Sequence, residues 1–246
     1  MLLLAVDPVL IAAAIIPAIV LLIKVYRADR VEKELPALLL SLVLYGIVAT
    51  GLAMVAEMLG SALVGLVLAE GTILYNAVFY FAVVAISEEG FKYLLLKRRT
   101  WRSPAFNYQF DGVVYAVFVS LGFALWENIS YVATYGFQVA LLRAVTAIPG
   151  HACFGVFMGA WYGTAKKYEK LGNAEKSKRY QRLAVWMPVI LHGSYDFIAS
   201  LESTVCTWVF VAFVIVLFTV AWRMVKRLSA HDHYLQGLSD QRFWHW

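Results

Sequence analysis

The chain has 246 residues, of which 62% are hydrophobic and 15% are charged, and its mean hydropathy is +0.71. Soluble domains average about 45–50% apolar and about 25% charged residues, so this composition excludes a soluble domain and indicates a membrane protein. The net charge of +5 comes without a basic patch interleaved with aromatic residues. We therefore expect no nucleic-acid partner, and we interpret the charge as a topology signal with some attraction to anionic lipid.

Long apolar blocks follow one another along the chain. Each is roughly 17–25 residues, which is typical of spanning helices and not of a membrane barrel. The predicted fold class is all-α, a polytopic transmembrane helical bundle of about seven spans within a single integral membrane domain, residues 1–246. The blocks are about Val9–Ile23, Pro36–Val55, Gly71–Leu96, Gly112–Val132, Val139–Trp161, Leu183–Leu201 and Val205–Trp222.

Two segments at the edges of these blocks need separate interpretations. Residues 1–23 lack a basic start and a cleavage pattern, so we expect a retained first span and not a signal peptide. The apolar piece Met58–Ala69 is too short to span, and we expect an outer loop or a re-entrant turn there.

Lysine and arginine predict the orientation. With seven spans, 19 of the 21 basic residues fall on one side, which the positive-inside rule assigns to the cytoplasm. The N-terminus is then outside, and the tail of about residues 229–246, with its three histidines, is cytoplasmic. The two exceptions are Lys92 and Arg143, and Arg143 is expected to extend to the outer interface.

A short set of polar residues remains inside the predicted spans. A charged side chain costs of order 2.5–3.5 kcal/mol at the centre of a spanning helix, so an accidental set on four helices is improbable. We expect these residues to meet in the bundle interior. They are Glu88, Glu89, Lys92, Glu127, Asn128, Arg143, His151, His192 and Asp196.

Helical spacing supports this convergence. Lys92 follows Glu88 by four residues and Glu89 by three, so it can neutralise one carboxylate. Asp196 follows His192 by four and can orient the imidazole or share a ligand site with it. Two rows of small residues at intervals of four predict close helix packing. They are Gly155, Gly159 and Gly163 after His151, and Gly112, Ala116, Ser120 and Ala124 in the preceding block.

The residue types fit more than one chemistry. Histidines and carboxylates suit a metal such as zinc with a separate glutamate as general base. A glutamate beside a histidine can also activate water without a metal. A proton-coupled transporter or channel would use the same residues as a relay. Composition alone leaves hydrolase and transporter open.

Four motifs, in a fixed order along the chain, favour the hydrolase over the transporter. They are EExxK at Glu88–Lys92, FxxxE at Phe123–Glu127, an element beginning at His151, and HxxxD at His192–Asp196. Over about residues 83–200 the chain resembles the PrsW family of intramembrane proteases, distant relatives of the CAAX prenyl proteases. Those relatives have histidine at the FxxxE position, so Glu127 argues against a prenylated CAAX substrate. The absence of an internal repeat also disfavours a transporter.

The resemblance implies a multi-pass protease of the cell membrane that makes the first cut in a single-span anti-sigma factor during a stress response. It places Glu88 and Glu89 at the catalytic glutamates, and Glu127, His151 and His192 at metal-binding or water-activating positions. Asp196 fits a supporting role, while Lys92 and Asn128 are candidates for stabilising the oxyanion. Simpler roles are open for these two, as a counter-ion and as an interhelical hydrogen bond. Zinc dependence and the choice of base between Glu88 and Glu89 are also left open.

Overall fold

The computed structural model describes residues 8–235, and its regular structure is helical apart from one isolated bridge between Tyr108 and Tyr234. The ranges are α1 Pro8–Ala28, α2 Pro36–Gly65, α3 Ile73–Val78, a π-helix Phe79–Ala85, α4 Ile86–Thr100, α5 Asp111–Tyr135, α6 Phe137–Val145, α7 Ala147–Lys170, α8 Ala174–Ala199 and α9 Thr204–Ala230. Part of the predicted tail, with Arg242 and His245, lies outside the described residues.

Six helical stretches of this part are long and apolar enough to cross a membrane. They are α1, α2, residues 73–100, α5, residues 137–170 and α9. The prediction of an all-α multi-pass membrane protein is therefore confirmed. The remaining long helix, α8, corresponds to the predicted block Leu183–Leu201 and is more polar because it begins with charged residues and contains His192 and Asp196. It packs against α7, α9, α4 and the π-helix.

One local expectation is wrong, and one predicted span is interrupted. The segment Met58–Ala69 is not a separate loop or re-entrant turn, because α2 continues without interruption to Gly65. No proline interrupts the helix after Pro36, and Glu57 points into a cavity, so its charge does not end the span. The block Val139–Trp161 is divided into α6 and α7 at Thr146, whose backbone is not helical. Pro149 causes no break because it lies in the first turn of α7, where the missing N–H is tolerated.

A π-helix forms part of the third block. Residues Phe79–Ala85 are wound as a π-helix between α3 and α4, directly before the pair Glu88 and Glu89. Such segments hold an extra residue in the turn and are frequent at functional sites. Hydrophobic patterning predicted one continuous span here, because π-winding has no signature in apolar periodicity.

The packing of α5 against α7 forms the centre of the bundle. A Cβ atom added at Gly159 would lie 2.4 Å from Val113 Cα, and one at Gly112 would lie 2.6 Å from the Gly163 nitrogen. The two backbones are therefore in direct contact, as the small-residue rows predicted. This contact is what brings Glu127 on α5 close to His151 on α7.

The basic clusters lie at one end of the bundle, which we call the basic end. Arg99 Nε donates to Ser41 Oγ at 3.0 Å, Lys97 Nζ donates to Gln181 Oε1 at 2.7 Å, and Lys166 Nζ donates to the Trp101 carbonyl at 2.8 Å. The end of α9 joins the end of α1 through a hydrogen bond from Ser229. The opposite end, where α5 ends and α9 begins, is called the outer end. Its extracytoplasmic location remains a prediction.

Buried acidic side chains connect neighbouring segments at the basic end. Glu34, in the loop before α2, accepts a hydrogen bond from the Tyr115 hydroxyl, and burial raises the pKa of Glu34 to about 7. Asp232 accepts a hydrogen bond from the Phe110 N–H at 2.9 Å, which ties the segment after α9 to the start of α5. The start of α5 is thus held from two directions.

Substituting Gly159→Ala tests the contact between α5 and α7. The new methyl group would overlap the α5 backbone, which cannot move as a flexible side chain can, so we expect a loss of about 1–3 kcal/mol of stability. Gly51→Ala is the matched control, because a Cβ there meets nothing within 4 Å. Thermal unfolding in detergent should show a lower Tm for Gly159→Ala only. Equal Tm values for the two variants would contradict the close contact.

Candidate active site

Polar side chains from three of the four motifs converge in a buried cluster. Glu88 and Glu89 come from α4, His151 from α7 and His192 from α8, and one potential ligand atom of each lies within 4.8 Å of the others. All four are at most 5% exposed. The structure thus joins residues of three helices that the sequence predicts to meet in the bundle interior.

Lys92 lies in the middle of this cluster and is fully buried. Its Nζ donates to Glu89 Oε1 at 2.8 Å and to Glu88 Oε2 at 3.0 Å, and lies 3.1 Å from His151 Nδ1. The ammonium group also lies 3.9 Å from the ring centroid of Phe123, the first residue of the FxxxE motif. One cation therefore pairs with both glutamates and lies against an aromatic face.

His151 is held from outside the cluster by a carboxylate. Its Nε2 lies 2.8 Å from Glu127 Oε2, so its Nδ1 faces Lys92 and the glutamates. Glu127 also pairs with Arg143, whose Nη2 is 2.9 Å from the same oxygen. Glu127 thus lies one hydrogen bond behind the cluster and not within it.

His192 repeats this arrangement. Its Nε2 lies 3.1 Å from Asp196 Oδ2, and its Nδ1 lies 3.0 Å from Glu89 Oε1. Phe154 stacks on the imidazole with a centroid distance of 4.7 Å. Each histidine therefore has one nitrogen fixed by an outer carboxylate and the other directed to the cluster, as is usual for histidines that bind metals.

Arg143 and Asn128 brace the outer side of the site. The expectation that Arg143 extends to the outer interface is wrong. Its Nε donates to Asn128 Oδ1 at 3.0 Å, and its guanidinium faces Glu127. Asn128 is fully buried and donates to the Ala14 carbonyl of α1 at 2.9 Å. Its amide is engaged at both ends and does not line the cavity described next, which is consistent with a supporting role.

A cavity of about 730 Å³ leads to the cluster. It is lined by Glu88, His151 and His192 at the cluster and by residues such as Tyr131 and Thr207 near the outer end. Glu89 is not among its lining residues and is fully buried. The two adjacent glutamates therefore differ, since Glu88 faces the cavity and Glu89 faces the interior.

Sequence reasoning missed two residues of this site. Glu57 lines the cavity from α2, directly before the segment Met58–Ala69 for which the sequence predicts a loop or a re-entrant turn. Its spacing from Thr50 and Met54, which also line the cavity, is that of one helix face, so helical periodicity extended past Val55 would have included it. Phe154 follows His151 by three residues and shares its helix face, but an aromatic at this spacing is ordinary in a core.

The cluster has the donor set of a metal site. Two histidine nitrogens and two carboxylates converge, and Glu89 Oε2 is buried without a hydrogen-bond partner among the described residues. Such an orphaned oxygen is costly unless a cation or water satisfies it. Lys92 Nζ already lies beside the two glutamates. A metal ion bound here would therefore share their carboxylates with an ammonium group.

Comparisons with known proteins identify the family of the chain. A family model described as "PrsW family intramembrane metalloprotease" matches residues 34–222. The chain is 31% identical to "Protease PrsW" of Clostridioides difficile strain 630 over 225 residues, covering 89% of this chain and 91% of the relative. It is 36% identical to the protein of the same name from Halalkalibacterium halodurans over 165 residues, covering 67% and 74%. No solved structure matches.

Removing the central cation should destabilise the fold. In Lys92→Met two buried carboxylates lose their counter-ion. We therefore expect the free energy of unfolding to fall by about 3–5 kcal/mol, the range for breaking a buried ion pair. Adding Glu89→Gln removes one of the uncompensated charges and should restore part of the stability. Chemical unfolding in detergent measures the stability of the single and the double variant. Equal stability of Lys92→Met and the unsubstituted protein would contradict the central role of Lys92.

Proposed function

Because the chain belongs to the PrsW family of intramembrane metalloproteases, we propose that it hydrolyses a peptide bond of a single-span membrane protein with water activated by Glu88. The chain is a multi-pass membrane peptidase, which implies a membrane-protein substrate. The observation that carries the proposed mechanism is the contact of Glu88 with the cavity beside two oriented histidines.

Glu88 is the better placed of the two glutamates to act as general base. Its Oε2 is bound by Lys92, while its Oε1 makes no hydrogen bond within the described residues and belongs to a side chain that lines the cavity. A base must come within hydrogen-bond reach of the water it activates, which Glu88 can do from the cavity wall. Glu89 instead accepts hydrogen bonds from Lys92 and His192 in the interior.

Glu89, His151 and His192 would hold the metal of this family, with zinc the ion best suited to two nitrogens and one oxygen. When bound, such an ion lowers the pKa of a water and polarises a carbonyl. Glu127 and Asp196 would keep the ring orientation of His151 and His192, so we place Glu127 in a supporting position and not as a ligand. Asn128 supports Glu127 indirectly by holding Arg143.

Charge stabilisation is the proposed task of Lys92 and Arg143. Attack of water on the peptide carbonyl places negative charge on its oxygen, and cations fixed beforehand stabilise it without reorganising. Arg143 is the one lysine or arginine among the described residues lining the cavity. Lys92 lies behind Glu88, so it acts mainly on the glutamate and through the local field.

The proposed substrate is an anti-sigma factor with one membrane span, cut first on its extracytoplasmic side. The cavity reaches residues near the outer end of the bundle, opposite the basic end. If the basic end faces the cytoplasm, the cavity admits an extended segment from outside the cell. The alternative of a proton-coupled transporter or channel has no support from the comparisons.

Substituting Glu88→Gln keeps the shape of the side chain and removes the base. We expect cleavage of a co-expressed single-span anti-sigma factor to fall by at least about 100-fold, the usual contribution of general base catalysis. Glu70→Gln is the control, because Glu70 is exposed beyond the end of α2. Immunoblots should show equal protein abundance. Undiminished cleavage by Glu88→Gln with loss only in Glu89→Gln would assign the base to Glu89.

Metal dependence is tested on the purified protein. We expect about one zinc ion per chain by elemental analysis, loss of zinc in His151→Ala and His192→Ala, and loss of cleavage with a chelator that added zinc reverses. Metal content is read independently of activity. Full cleavage by metal-free protein would instead assign the reaction to the glutamates and histidines alone.

A further inference from the structure

Glu57 is a charged residue of the cavity wall to which no motif assigns a role. It lies on α2 on the face shared with Thr50 and Met54, and all three line the cavity together with Glu88 and His192. Its side chain is neither fully buried nor fully exposed. The carboxylate therefore faces the space that leads to the cluster.

The other acidic side chains that line the cavity already have partners. Glu88 pairs with Lys92 at 3.0 Å, Glu127 with Arg143 at 2.9 Å, and Asp196 with His192 at 3.1 Å. Glu57 makes no ion pair and no hydrogen bond to any residue of the described part of the chain. It is the one lining carboxylate there without a side-chain partner.

The charges around Glu57 leave it unbalanced. Glu127 and Asp196 repel it, while Lys92 and His192 attract it but are already bound to other carboxylates. Among the residues that the structure describes, four carboxylates and one arginine line the cavity. A carboxylate inside a spanning helix is costly without a partner, so residues of this kind usually face a ligand or a pathway.

We propose that Glu57 determines specificity by pairing with a lysine or arginine side chain of the substrate close to the cleaved bond. This inference rests on the proposed peptidase function. Glu57 and Glu88 line the same cavity, so the basic side chain belongs to a residue near the cleaved bond. Since an extended chain advances about 3.3 Å per residue, the two positions on either side of that bond are the first to test.

The experiment uses the full chain in detergent and a single-span substrate whose cut site has been found by mass spectrometry. Three versions of the substrate carry Lys, Gln or Glu at each of the two positions on either side of the cut. We expect kcat/KM to be about tenfold higher for the best Lys version than for its Gln counterpart, and lowest for Glu, as a partly desolvated ion pair would give.

Two variants of Glu57 then test the assignment. In Glu57→Gln the ratio of kcat/KM between the Lys and Gln substrates should fall to about one. In Glu57→Lys the preference should reverse, with the Glu substrate cut faster than the Lys substrate. Glu70→Gln, an exposed glutamate near the same end of α2, should keep the ratio of the unsubstituted protein.

The contrary outcomes are distinct. An equal fall for all three substrates in Glu57→Gln would overturn the inference, since a purely structural residue behaves in that way. Cleavage of all three substrates at one rate by the unsubstituted protein would overturn it and leave the proposed function intact. Failure of the unsubstituted protein to cut the parent substrate at any position would overturn both.

Discussion

The ammonium group of Lys92 lies within 3.1 Å of two glutamates and a histidine, at a depth where no solvent reaches it. In a low-dielectric interior each of these groups would be costly alone, so their positions depend on one another. Through His151 the network reaches α7, and through Glu89 and His192 it reaches α8. One buried cation thus couples three helices, and the close contact of α5 with α7 adds a fourth.

The site is arranged in two layers around this cation. The inner layer consists of the groups that reach the cluster, and the outer layer consists of Glu127 and Asp196, which hold the far side of each imidazole. The outer layer is itself held, because Glu127 is bound by Arg143 and Arg143 by Asn128. Side chains held in this way keep their geometry when substrate enters, which hydrolysis requires.

Much of this arrangement follows from sequence patterns, for stated physical reasons. Buried charges such as Glu89 and His192 are costly enough in a membrane that they indicate a shared interior, and rows of small residues such as Gly155, Gly159 and Gly163 indicate where helices touch. The extension of α2 and the break at Thr146 were not predicted, since apolarity does not distinguish a spanning helix from an apolar turn. Arg143 was misplaced because its partner Glu127 is distant in sequence.

The π-helix at Phe79–Ala85 has a consequence for how such a site originates. A π-turn is equivalent to one residue inserted into an α-helix, and one residue corresponds to about 100° of rotation. Deleting a single residue in this segment would restore regular winding and turn Glu88 and Glu89 away from the histidines. A one-residue insertion in this segment is therefore sufficient to set the direction of Glu88 and Glu89, without any substitution in α4 itself.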